Sequence, residues 1–80
     1  MSKAEMILAG LGGAENITEY QPCITRIRVR VVDPEVIDEE ALVNAGAYGT
    51  VVTGKTVQVI MGARAEEIGL EFEPLLTATA

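Results

Sequence analysis

Cys23-Ile24-Thr25-Arg26-Ile27-Arg28-Val29-Arg30-Val31-Val32 is the stretch that decides the fold. From Ile24 to Val32 it reads as one strand, with Ile27, Val29 and Val31 on one face and Arg26, Arg28 and Arg30 on the other. A strand of this period is half buried, so one side belongs to a core and the other to water or a partner. Three guanidiniums in a row repel one another, whereas a merely solvated sheet face usually mixes its signs. A guanidinium fork grips phosphate through two oxygens at once, and the row therefore reads as an anion-binding strip. Cys23 stands at its head. Pro22 before it fixes a bend at which the thiol and the amides that follow can converge on one point. A lone cysteine is more often a small apolar residue than a nucleophile. Cations beside a thiol, however, favour the thiolate and would equally steady a phosphoryl dianion on sulfur.

Working outward, residues 16–21 read as a short strand that leads into Pro22. Ahead of it, Ser2-Lys3-Ala4-Glu5 has the spelling of a capping box. The helix it opens carries Ala4, Ile7, Leu8 and Leu11 on one face, and Gly12-Gly13 ends it. Downstream, Asp33-Pro34 breaks the arginine strand, Asp38 caps a short helix through Ala41, Leu42 and Ala45, and Gly46 closes that helix. Residues 48–53 and 56–61 are rich in β-branched side chains and flank Gly54-Lys55, which predicts a hairpin. Gly62 leads to a last helix over 64–76 with Ile68, Phe72, Leu75 and Leu76 on its core side, weakened by Gly69 and Pro74. Residues 77–80 are expected to fray. The order helix, two strands, helix, two strands, helix, with short connections, predicts an α+β sandwich with helices over one sheet face.

Eighty residues make one domain, 1–80. The apolar runs fall far short of the roughly 18 residues of a membrane span, and the amino terminus lacks the pattern of a signal peptide. The expectation is a cytoplasmic domain. With one cysteine and no histidine, a Cys/His zinc site, a Cys-His nucleophile pair and an internal disulfide are all excluded. A net charge of −6 argues against general affinity for nucleic acid or anionic lipid. Gly49-Thr50-Val51-Val52-Thr53-Gly54-Lys55-Thr56 spells a Walker A loop, but the residues after it are strand-like, where a nucleotide site needs a helix N-terminus. The acidic run Asp33, Glu35, Asp38, Glu39 and Glu40 lacks the glycine and closing glutamate of a calcium loop, and a turn with an acid-rich helix start explains it. No nucleotide, metal or other cofactor is expected.

Asn16-Ile17-Thr18 followed by Cys23-Ile24-Thr25-Arg26-Ile27-Arg28 resembles the signature of enzyme IIB of the glucose-family sugar phosphotransferase system, with Ile27 where leucine is usual. The likeness continues through residues 38–47, Gly49-Thr50-Val51-Val52 and Val57-Gln58-Val59-Ile60-Met61-Gly62, covering nearly the whole chain. The resemblance implies a four-stranded antiparallel sheet with three helices on one side. It implies that Cys23 takes a phosphoryl group from the phosphohistidine of enzyme IIA and passes it to a sugar bound by the membrane permease, enzyme IIC. It implies, too, that Arg26 and Arg28 serve that onward transfer, and it leans toward the glucose and N-acetylglucosamine branch. Thr25, the Ile24 amide, Arg30 and Gln58 are further candidates for contacting the phosphoryl group. A chain that starts at Met1 and carries no span is expected to be a separately encoded IIB, and a domain excised from a fused permease would look the same. Two rivals stand beside this reading: a non-catalytic module that docks anions or acidic proteins on the Arg26/Arg28/Arg30 strip, and a redox-sensing thiol, which would lack a resolving cysteine in this chain.

Overall fold

Ser2 and Glu5 cap each other at the start of the first helix, α1 (Lys3–Gly10): the Glu5 amide donates to Ser2 Oγ at 3.1 Å and the Ser2 amide to Glu5 Oε1 at 2.8 Å. This computed structural model describes residues 2–77, so the expected fraying at 78–80 lies outside the described residues, while Thr77 closes the last helix. Beyond α1 come β1 (Ile17–Pro22), β2 (Arg26–Val31), α2 (Glu39–Asn44), β3 (Gly49–Thr53), β4 (Thr56–Ile60) and α3 (Ala65–Thr77). Short 3-10 turns at Ala14–Asn16, Pro34–Val36 and Gly62–Arg64 join them. Asp38 caps α2 through the Ala41 amide, as its position in the sequence predicts.

The sheet has the order β1-β2-β4-β3 and is antiparallel throughout. Its core face is the alternation read in the sequence. Ile27, Val29 and Val31 of β2 join Val57 and Val59 of β4, all buried, against Ile7 and Leu11 of the first helical segment, Leu42 of α2, and Ile68 and Phe72 of α3. Closing water out of such a surface is the main favourable term in a domain this small. Phe72 is fully buried, and its truncation to alanine should cost about 3–5 kcal/mol. The opposite sheet face is open. The cross-strand register lines up Gln21, Arg28, Gln58 and Val51 in one row across it, and Glu19, Arg30, Thr56 and Thr53 in the next.

One expectation shifts in detail. The arginine strand begins at Arg26 rather than Ile24, because the Thr25 carbonyl leaves the ladder to accept the amides of Met61 and Gly62 at 3.0 and 2.9 Å. The Walker A spelling lies across β3, the Gly54-Lys55 turn and β4, so its amides belong to a hairpin ladder and not to a phosphate cradle. Among the described residues no helix is long and apolar enough to cross a membrane.

Candidate functional site

Cys23 lies in the loop between β1 and β2, a free and half-buried thiol 3.7 Å from the Gln21 carbonyl oxygen. The loop is short, and its position is set from both ends. On the β1 side, Pro22 pairs with Ile27 in the ladder; on the β2 side, the doubly bonded Thr25 carbonyl pins the chain to the junction of β4 and α3. Ile24 between them projects outward at 77% exposure, so its side chain contributes nothing to the core.

The sequence-read candidates divide around this loop. Arg26, the nearest arginine, is half buried and donates through Nη1 to Gln58 Oε1 at 3.0 Å, while Arg28 sits opposite Gln58 in the β2–β4 register. The structure thus brings Arg26, Arg28 and Gln58 into one polar group on the open sheet face. Gln58 fixes the orientation of one guanidinium, which lowers the entropy lost when that guanidinium takes hold of an anion. Arg30 lies farther along the strand, opposite Glu19 and Thr56; it shares one cavity with Arg28, Gln21 and Glu19 and lines another with Thr18, Glu19 and Lys55. Four of the six basic residues, Arg26, Arg28, Arg30 and Lys55, therefore gather on the open face or at its turn, with Glu19 beside them. The hydrogen bonds of the described residues do not tie any of these guanidiniums to the Cys23 thiol.

Cys23 itself lines a groove of about 180 Å³ on the helical side, with Tyr20 and Pro22 of β1 and Ala65, Glu66, Gly69, Leu70, Glu73 and Pro74 of α3. This wall was not legible as part of a site. Tyr20 packs edge-on against Phe72, with ring centroids 5.2 Å apart, and burial, then the negative charges of Glu73 and Cys23, push its hydroxyl pKa up. The carboxylates of Glu66 and Glu73 disfavour a phosphoryl dianion on this side of the thiol. The arginines favour one on the other. The site is therefore two-sided, a thiol on a loop with the cations on the open sheet face and an apolar, acidic groove behind it.

Residues 5–38 match the family described as phosphotransferase system, EIIB. The chain is 49% identical over 75 residues to the N-acetylglucosamine-specific EIIB component of Streptomyces coelicolor, covering 94% of this chain and 97% of that protein. It is 40% identical to part of the N-acetylglucosamine-specific EIICBA component of Klebsiella pneumoniae and 45% identical to part of the N-acetylglucosamine-specific EIICB component of Bacillus subtilis, spanning 12% and 14% of those longer proteins. One domain of the PTS system IIabc component from Clostridium difficile shares the fold, with a TM-score of 0.74 at 24% identity over 98% of this chain and 79% of that one.

Proposed function

The chain belongs to the EIIB family of the phosphotransferase system, and from this we propose that Cys23 is its phosphoryl-carrying nucleophile. The observation that carries the proposal is the placement of the chain's one cysteine on a partly exposed, externally pinned loop that leads directly into the strand bearing Arg26 and Arg28. The Cys23 thiolate attacks the phosphorus of a phosphohistidine on enzyme IIA. The P–N bond breaks, an S–P bond forms, and the imidazole leaves with the electron pair. In the second step a sugar hydroxyl attacks the same phosphorus, the S–P bond breaks, the thiolate is regenerated and the hydroxyl proton passes to a base or to water. Both are in-line displacements, for which the protein's contribution is positioning and stabilising charge on the transferring oxygens.

Arg26 and Arg28 hold those oxygens, with the Gln58 amide orienting Arg26, and Thr25 and the Ile24 amide contribute from the loop. Arg30 acts at a distance, through its charge. The names of the relatives support N-acetylglucosamine as the sugar and a membrane enzyme IIC as the partner that presents it. The domain then works at the inner face of the membrane by docking on that permease.

Intact mass spectrometry after incubation with phosphoenolpyruvate, enzyme I, HPr and enzyme IIA tests the reading. One phosphoryl adduct is expected on the native protein and none on Cys23→Ser. Arg28→Lys should still take up phosphate but deliver it to sugar on the order of tenfold more slowly, since an ammonium keeps the charge and loses the bidentate fork. No adduct with a competent donor would leave the arginine strip as a binding surface without chemistry.

A further inference from the structure

We infer that Tyr20 is a positioning residue for Cys23, wedged between Phe72 and Gly69 so that the phenol fixes the groove wall against which the Cys23 loop rests. The inference builds on the carrier reading above. Tyr20 stands three places before Cys23 on the core face of β1, opposite Val29, and Pro22 pairs with Ile27 one step further on. Between the phenol and the thiol the chain therefore has little slack: both strand positions are held in the ladder, and the proline ring locks its own φ. A displacement of Tyr20 reaches Cys23.

The other half of the wedge is Gly69. It is buried in the middle of α3, where glycine costs about 1 kcal/mol relative to alanine. The structure supplies the reason for bearing that cost. A Cβ at Gly69 would stand 2.5 Å from the Tyr20 hydroxyl oxygen, too close for any real contact, yet 3.8 Å from the ring carbon that bears it, an ordinary one. The clash belongs to one oxygen atom. Glycine at 69 and a phenol rather than a phenyl ring at 20 are a matched pair, and both line the groove that holds Cys23. The upward push of the Tyr20 pKa, in which Glu73 and Cys23 take part after burial, fits a hydroxyl held at that groove.

A double-substitution cycle tests the pair. The native protein, Gly69→Ala, Tyr20→Phe and the double variant are compared for phosphoryl uptake from phosphorylated enzyme IIA, at a temperature where circular dichroism shows all four folded. Gly69→Ala should lower kcat on the order of tenfold or more with donor KM within about twofold, because the nucleophile is displaced while the docking surface is kept. Tyr20→Phe alone keeps the ring against Phe72 and serves as the reference for the double variant, and adding it to Gly69→Ala should bring the rate to within about threefold of that reference, since the clashing oxygen is gone. A native kcat for Gly69→Ala, or a double variant as slow as Gly69→Ala, overturns the inference. Should Gly69→Ala fail to fold, Tyr20→Leu with Gly69 intact takes its place: the same fall in kcat at unchanged KM supports the positioning role, and a native kcat overturns it. An adduct on the native protein with equal rates in every variant sinks only the wedge; no adduct on the native protein sinks the carrier reading and the wedge with it.

Discussion

The two hairpins of the sheet close in different ways. β3 and β4 are joined by Gly54-Lys55, with Gly54 at φ +60 and open space where its side chain would be. That turn takes its backbone shape from its own residues, since glycine reaches the left-handed region without strain, and one bond reaches it from outside, the Val31 amide to the Lys55 carbonyl at 2.8 Å. β1 and β2 are joined by Cys23-Ile24-Thr25, which has no glycine and, like every other non-glycine residue described, no positive φ. This loop is held from outside: by the Met61 and Gly62 amides on the Thr25 carbonyl, by Tyr20 against α3, and at the far end of the hairpin by Asn16. The Gly54-Lys55 turn rests mostly on its own residues, and the Cys23 turn is held at more points by the rest of the molecule. A loop held this way keeps a fixed relation to distant elements, which the carrier role proposed for Cys23 needs and a simple connection does not.

The contrast can be broken at several points. The largest effect is expected at Asn16, a buried amide that donates to the Leu11 and Asp33 carbonyls at 2.8 and 3.1 Å and accepts the Asp33 amide at 2.9 Å. Asn16→Ala strips all three groups of their partner and should lower stability by about 2–4 kcal/mol, read as a fall in the urea midpoint with an unchanged slope. Gly62 comes next. It sits at φ +66, and a Cβ there would be 2.8 Å from the Tyr48 ring. Gly62→Ala should cost about 1–3 kcal/mol and slow phosphoryl uptake as well, because the displaced amide is one that clamps Thr25. Full uptake by a destabilised Gly62→Ala would show that the Cys23 loop does not depend on the β4–α3 junction. Gly54→Ala sharpens the comparison from the other side: a loss of about 1 kcal/mol by thermal or urea unfolding, with uptake unchanged.

The smallest effect lies outside both hairpins. Hydrogen bonds from the Ser2 amide and hydroxyl region hold the Glu5 carboxyl below the usual carboxylate range. Its contribution is therefore complete above that range and is lost as pH falls through the depressed value. Urea midpoints measured at neutral and acid pH should fall slightly more for the native protein than for Glu5→Gln, with phosphoryl uptake at neutral pH alike in both.

What the sequence made legible was local. The period of two in β2, the capping box, the Asp38 cap and the Gly-Lys hairpin each depend on neighbours within a few positions, and each is where the reading put it. The Cys23 loop was harder because its hold is tertiary. Ile24 and Thr25 continue the alternation and so read as strand, yet the Thr25 carbonyl is captured by amides from the far end of β4. Gly69 read as a weakness in α3, since nothing in the linear pattern says that a tyrosine hydroxyl occupies the missing side chain's place. The resemblance to the EIIB family named Cys23, Arg26 and Arg28 together, but not that the thiol and the guanidiniums lie toward opposite sides of the sheet edge.

The gathering of Arg26, Arg28, Arg30 and Lys55 on one face, in a chain whose other charges are mostly carboxylates, makes that face the positive one. An anionic partner approaching in solution turns that face toward itself before any contact forms, so productive encounters are selected during diffusion rather than after collision. Association should then slow as added salt shortens the reach of the field, even where the affinity of the docked complex changes little.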